Sequence, residues 1–253
     1  MGEKTVYSTW IRTNKILLFW ILGFGILATT FLGFLYAPLF FIGVVSVPFL
    51  YIAMIISLTS YKFSEKGGDF QNKIHDLVIS HCPLSDNALD IGCGNGNMII
   101  RYAKRYPKGK YTGIDYWGNN WEYSKNQCIK NAMIEKIDNI SFHQASASKL
   151  PFDNETFSNV ISCLTYHEVQ DVESKIESLF EALRVLKING RFAFFDLFND
   201  KRFYSGKQII LEEISKHGAK NVEYKNIQDI LELPFPLNGS KSLRYGVLIS
   251  GEK

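Results

Sequence analysis

Three glycines at alternate positions, Gly92, Gly94 and Gly96, follow an apolar run and lead into a helix-forming segment. Glycine lets the backbone turn sharply and approach a ligand closely. A helix that begins there presents unpaired N–H groups to an anionic group. Asp90 precedes the loop. Asp115 lies about 20 residues further on, at the end of the next apolar run, where a carboxylate accepts hydrogen bonds from a ribose diol. This is the chemistry of a nucleoside-containing cofactor. The glycine loop alone also suits a dinucleotide, but the fingerprint G-x-G-x-x-G requires glycine at position 97, where Asn97 stands. The pattern over Asp90-Ile91-Gly92-Cys93-Gly94-Asn95-Gly96 is D-x-G-x-G-x-G.

A second polar group, Tyr166-His167-Glu168, follows another apolar run, and Asp196 ends a later one. His167 is the candidate general base for an acceptor that must lose a proton. The alternative is that it shapes the pocket or binds a backbone carbonyl. His75, His81, His143 and His217 read as surface or packing residues. Cys93 reads as a small loop filler. Cys82, Cys93, Cys128 and Cys163 are scattered with no C-x-x-C pair, which indicates neither a zinc nor a redox site. No residue cluster suggests a metal. The net charge of +3 is too weak to argue for nucleic acid as a partner.

These residues need elements to hold them. Strands are expected at Ala88–Gly92, Lys110–Asp115, Ile140–Ala145, Val160–Leu164 and Arg191–Leu197, with two late strands near Val222–Asn226 and Leu243–Ser250. Helices are expected at Ser64–Cys82, Met98–Arg105, Trp121–Glu135 (capped by Asn119 or Asn120), Val172–Lys187 and near Gln208–His217. Alternating strands and helices argue an α/β fold with a doubly wound, mostly parallel sheet. Ligands in such sheets bind beyond the carboxyl ends of the strands. That directs attention to Gly92–Gly96, Asp115, Ala145–Ala147 and Leu164–Glu168.

The first 60 residues are different. Between Ile16 and Tyr61 there is no Asp, Glu, Lys, Arg or His. The stretch divides at Ala37-Pro38 into spans at about 16–36 and 39–59. Each is roughly 32 Å long as a helix, enough for a hydrocarbon core of about 30 Å. Lys4, Arg12 and Lys15 precede the first span, and Lys62 and Lys66 follow the second. Both ends are therefore expected on the cytoplasmic side of a two-span, multi-pass hairpin. A cleaved signal peptide fits poorly, since its apolar core is shorter and no second span should follow. A re-entrant hairpin is the nearer rival. The expected domains are 1–62, a membrane hairpin, and 63–253, a soluble domain.

The soluble part resembles the class I S-adenosylmethionine-dependent methyltransferases over roughly residues 70–200. The resemblance is carried by Ala88-Leu89-Asp90-Ile91-Gly92-Cys93-Gly94-Asn95-Gly96, then Gly113-Ile114-Asp115. Leu150-Pro151-Phe152-Asp153 with Phe157, Tyr166-His167-Glu168-Val169, and Ala182-Leu183-Arg184-Val185-Leu186-Lys187 with Gly190-Arg191 follow in the family's order. It implies a seven-stranded Rossmann-like sheet and S-adenosyl-L-methionine as cofactor. Asp90 and the backbone of Gly92, Cys93, Gly94, Asn95 and Gly96 would hold the methionine part, although Asp90 could instead brace the loop. Asp115 would bind the ribose. Tyr116 or Trp117 would pack on the adenine face, unless Trp117 is simply a surface or core aromatic. Ser146, Ala147 and Leu164 would line the site. The family often has Asp at the position of Ser146; a hydroxyl carries no charge, so adenine recognition is expected to be weaker or shifted to a backbone group.

The methyl acceptor is not written in these motifs. The hairpin would hold the active site near a bilayer, where apolar molecules concentrate. A hydrophobic or lipid-like small molecule is therefore the expected acceptor, with membrane lipids as partners. A protein side chain is the first alternative, and a non-catalytic cofactor-binding scaffold the second.

Overall fold

The computed structural model describes residues 3–34, 36, 41–83, 86–118 and 123–253. The chain divides into two compact units, Ser8–Gln71 and Asn72–Lys253, the second joined by the N-terminal segment that ends at Tyr7.

The larger unit is built on seven strands: β1 (Asn87–Ile91), β2 (Lys110–Asp115), β3 (Ile140–Gln144), β4 (Phe157–Cys163), β5 (Leu186–Asp196), β6 (Lys220–Asn226) and β7 (Val247–Glu252). They form one sheet in the order β3-β2-β1-β4-β5-β7-β6. Strands β1 to β5 pair in parallel, and β7 runs antiparallel to both β5 and β6. This is the seven-stranded, mostly parallel sheet that the alternating pattern implies. The chain winds outward from β1 through β2 to β3, then returns to the other side of β1 as β4. The switch point therefore lies between β1 and β4, where sheets of this kind bind ligands beyond the strand ends. Strand β1 is buried along Ala88–Ile91, as expected of a central parallel strand covered on both faces. Leu89, Ile91, Val160 and Phe192 of the sheet share one core with Leu179 and Leu183 from the helix α6 (Glu177–Val185).

Helix ends differ from the pattern-based expectation for identifiable reasons. The span Val172–Lys187 holds a helix only over Glu177–Val185, because Leu186 pairs with Phe157 as the first residue of β5. The helix α5 (Lys125–Ile134) is capped by Ser124, whose hydroxyl accepts from the Gln127 N–H at 3.2 Å. The expected caps Asn119 and Asn120, and Trp121, lie outside the described residues. The last strand begins at Val247 rather than Leu243, since Lys241–Arg244 forms a short helix.

The N-terminal segment is tied to this unit through the Lys130–Glu3 ion pair at 3.2 Å and through Asn131. The Asn131 carboxamide, fully buried on α5, accepts from the Val6 N–H at 2.9 Å and donates to the Val6 carbonyl at 3.0 Å. It also donates to the Asn95 carbonyl in the glycine loop at 3.0 Å. Asn131→Ala removes the partner of the part-buried Val6 backbone groups and of the buried Asn95 carbonyl. It is expected to lower stability by roughly 1–3 kcal/mol, read as a fall in the melting temperature of the full chain.

The smaller unit is an antiparallel pair, α1 (Thr13–Thr29) and α2 (Ser46–Phe63). Trp20 donates its indole N–H to Ser57 at 3.1 Å, and Trp10 meets Phe63 edge-on at 5.0 Å. A Cβ at Gly23 would stand 2.5 Å from the Leu50 side chain, so this glycine allows the helices to approach closely. The apolar helical stretches run Thr13–Gly33 and Gly43–Phe63, each 21 residues, long and apolar enough to cross a membrane. They reach further out than the expected spans 16–36 and 39–59, because the helices continue through Lys15 and Lys62. Long basic stems can lie along apolar surface with their charge at its edge. The expected break at Ala37-Pro38 falls outside the described residues.

Candidate functional site

At the carboxyl end of β1 the chain turns through Gly92, in the left-handed region at φ 76°. A Cβ there would lie 2.0 Å from the Thr165 hydroxyl, which itself donates to the Ile91 carbonyl at 3.0 Å. Thr165 follows β4, so the two sides of the switch point meet at this glycine. The Gly92 and Cys93 N–H groups both donate to the Ile114 carbonyl, at 2.8 and 2.9 Å, which fastens the loop to β2. The Asn95 side chain accepts from the Asn97 N–H at 3.2 Å and so holds the start of the helix α4 (Asn97–Arg105). Asn97 donates its amide to Asn72 at 2.9 Å. Position 97 thus serves the helix packing in this loop. Cys93 is buried with its sulfur against Gly113, and burial holds its thiol neutral.

Two carboxylates flank the loop. Asp90 is fully buried, and among the described residues neither of its oxygens has a hydrogen-bond partner in good geometry. Burial, reinforced by the charge of Asp115, pushes its pKa well up, while the nearby Ile99 amide pulls the other way. Asp115 ends β2. One of its oxygens accepts from the Gly94 N–H at 2.9 Å, the other from the Trp117 N–H at 2.8 Å. Burial raises its pKa and these backbone donors oppose the rise. A carboxylate has about four lone-pair sites, so Asp115 keeps room for a further donor.

Trp117 sits at φ 43° and folds back, so that its indole N–H donates to the Gly94 carbonyl at 2.8 Å. Tyr116 is exposed. Of the two aromatic candidates, only Trp117 is brought to the loop. Ser146 follows β3, next to Ala145, whose N–H donates to the Asp115 carbonyl at 3.1 Å. Ala147 is buried in the core. Leu164, at φ 55°, donates its N–H to Phe195 at 2.7 Å and links the ends of β4 and β5.

On the far side of the switch point, His167 lies in a short turn after β4. Its Nδ1 is 2.7 Å from the buried Asp196 carboxylate and its Nε2 is 3.5 Å from Glu168. Burial alone would lower its pKa. The charge and hydrogen bond of Asp196, aided by Glu168, outweigh burial and raise it to about 10. The pairing therefore favours the protonated ring, which lies 5.5 Å from that of Phe203.

The remaining histidines serve packing. His75 is buried and pushed down to about 3 by desolvation. His81 and His217 bond carbonyls of their own helices, and His217 stacks on Phe180 at 3.6 Å. His143 meets Phe152 edge-on. All four cysteines are free and buried, and no group of three or more His, Cys, Asp or Glu residues stands ready for a metal among the described residues. Sequence reasoning missed three participants: Thr165 behind Gly92, Asn131 under Asn95, and Asp171, which bonds Ser146 and Ser148. An amide in the middle of a helix facing apolar neighbours is the one cue that could have marked Asn131.

Comparison with known proteins agrees with this geometry. Among curated relatives, a 2-phytyl-1,4-naphtoquinone methyltransferase from Nostoc sp. is 29% identical over 132 residues, covering 51% of this chain and 55% of the relative. The ubiquinone/menaquinone biosynthesis C-methyltransferase UbiE of Rickettsia prowazekii is 28% identical over 149 residues, covering 58% and 56%. The chain thus spans about half the length of these relatives. Among solved structures, geranyl diphosphate C-methyltransferase from Streptomyces coelicolor A3(2) shares the fold with a TM-score of 0.57 at 14% identity, over 74% of this chain and 80% of that one. The family described as methyltransferase domain matches residues 84–234, more than half of the sequence. With the glycine loop, the sheet order and this match together, the chain belongs to the class I S-adenosylmethionine-dependent methyltransferases.

Proposed function

We propose that the protein is a membrane-anchored methyltransferase that moves a methyl group from S-adenosylmethionine to a hydrophobic, lipid-like small molecule at the cytoplasmic face of a membrane. The observation that carries the reading is the buried Asp90 carboxyl beneath the glycine loop, with no well-formed hydrogen bond among the described residues, and Asp115 near it at the end of β2. A buried carboxylate without a donor is costly unless a cation arrives. The methionine part of the cofactor brings an ammonium and a sulfonium. Asp90 and the Gly92–Gly96 backbone would hold that part, Asp115 the ribose, and Trp117 with Ser146 and Ala147 the base. When bound, the cofactor supplies an electrophilic methyl group.

The chain's own work is alignment and charge. An imidazolium cannot accept a proton, so His167 takes the role of a donor. Its Nε2–H would hold an enolic or phenolic oxygen of the acceptor and favour its ionised form. Phe203 beside it offers an apolar wall. The names of the relatives, which include quinone methyltransferases, support an acceptor of this hydrophobic kind. The exposed apolar side chains along the hairpin, among them Leu17, Ile21, Phe24, Val44 and Val47, support membrane residence. The basic residues at both of its ends support a cytoplasmic catalytic domain.

The test uses the full chain in detergent. Calorimetry is expected to show binding of S-adenosylmethionine and none of NADH. Asp115→Ala is expected to weaken that binding roughly tenfold or more; an unchanged affinity removes Asp115 from the ribose. Label transferred from the cofactor should appear in a membrane-lipid extract rather than in a protein fraction. Transfer into protein alone would overturn the acceptor class. A full chain that stays dispersed in water without detergent would overturn the anchor.

A further inference from the structure

We infer that Asp171 is a positioning residue for adenine recognition, acting through Ser146; this rests on the cofactor site proposed above. A nucleoside whose ribose lies on Asp115 at the end of β2 must carry its base toward the neighbouring edge strand β3. The first residues beyond β3 are Ala145, bonded to the Asp115 carbonyl at 3.1 Å, and Ser146. Ser146 has a hydroxyl where a carboxylate acceptor would suit an exocyclic amine.

The structure supplies the missing carboxylate from another loop. Asp171, between the His167 turn and α6, accepts from the Ser148 hydroxyl at 2.6 Å and from the Ser146 hydroxyl at 3.1 Å. The two serine oxygens are 2.8 Å apart, and the Ser148 N–H points at the Ser146 oxygen at 3.3 Å. Each hydroxyl has one proton. Ser148 spends its proton on Asp171. Ser146 then spends its own inward, on Asp171 or on the Ser148 oxygen. In both arrangements Ser146 turns a lone pair outward. The hydrogen bonds from Ser148 and Ser146 also hold the Asp171 carboxyl below the usual range, which keeps it an acceptor.

An outward lone pair accepts from the 6-amino group of adenine and opposes the 6-oxo group of hypoxanthine. A serine without Asp171 rotates and suits either base. Asp171 thus converts an ambivalent hydroxyl into a fixed acceptor and sets the base specificity of the site.

The experiment measures dissociation constants of S-adenosylhomocysteine and S-inosylhomocysteine for the full chain in detergent. The wild type is expected to favour the adenine form by about tenfold or more, the scale of a site polar group left facing a like partner. Asp171→Ala is expected to bring the ratio to within about threefold, chiefly by weakening the adenine form. Asp171→Asn preserves shape, but its amide N–H turns one serine proton outward, and it should also lower the ratio. Ser146→Ala should abolish the discrimination. A merely structural role for Asp171 would weaken both ligands equally and leave the ratio intact, and that result overturns the inference alone. A wild type that binds neither ligand overturns the cofactor site and the inference with it.

Discussion

Asp196→Ala is expected to lower the folding stability of the full chain by about 3–5 kcal/mol, the usual cost of stranding one member of a buried charged pair. Asp196 is fully buried at the end of β5. Besides the His167 ring, its oxygens accept from the Tyr166 N–H at 2.7 Å, the His167 N–H at 3.3 Å and the Leu197 N–H at 2.6 Å. Alanine leaves the imidazolium and three backbone donors without this carboxylate. His167→Gln removes the charge instead and isolates its titration. Because Asp196 and Glu168 raise the folded pKa of His167 from 6.5 to about 10, its contribution is fully present below pH 6.5 and is lost as pH rises through about 10. The wild-type melting temperature should therefore fall between these values more steeply than that of His167→Gln. Parallel slopes would show that His167 is not held as an imidazolium. Activity carries the opposite signs for the two possible roles. A base must be deprotonated, so a base mechanism gains rate up to about pH 10. A donor holding the acceptor oxygen loses rate above it, which is the expected profile.

The parts of the fold that depend on local pattern were legible. Apolar runs bounded by Gly, Pro and polar residues located the central strands β1 and β4 and the buried end of β5, since a strand buried on both faces admits little else. The edge strand β3, by contrast, buries only Phe142. The glycine loop and Asp115 were legible because a turn of that kind constrains residue type directly. Boundaries failed where one pattern satisfied two structures. Leu183 and Leu186 continue a helical spacing, yet Leu186 already pairs with Phe157 in the sheet. The partner of His167 was not legible either. Asp196 lies 29 positions away, and only the fold brings its carboxylate to the ring. Asp171 and Asn131 are further cases: tertiary packing alone brings them to Ser146 and to the loop. The absence of charge bounds the apolar stretch at Ile16 and Tyr61, but the helices continue past those limits through Lys15 and Lys62.

Asp90→Asn is expected to make the cofactor-free protein more stable and the cofactor site about a hundredfold weaker. The carboxyl lies fully buried with no well-formed hydrogen bond among the described residues, next to the charge of Asp115. Its folded pKa is raised above the ordinary value of 3.8, so ionised Asp90 works against folding once pH exceeds that value. The penalty is absent below pH 3.8 and grows as pH rises toward the folded pKa. Asparagine has nearly the same shape and no charge, and desolvating it costs far less. The melting temperature of the variant should accordingly rise by several degrees at neutral pH, on the scale of about 1–2 kcal/mol. The same substitution removes the anion that a cationic ligand requires. A ligand cation arriving beside Asp90 favours its ionised form, so binding to the wild type should release a proton. Calorimetry in buffers of different ionisation heats reads that proton directly, and Asp90→Asn should release none from this group. If the variant instead matched the wild type in affinity and in proton release, Asp90 would be a brace for the glycine loop. If it lost affinity but gained no stability, the carboxylate would not be strained in the free protein. The combination expected here, more stable and less able to bind, identifies a residue kept for its ligand at the expense of the fold.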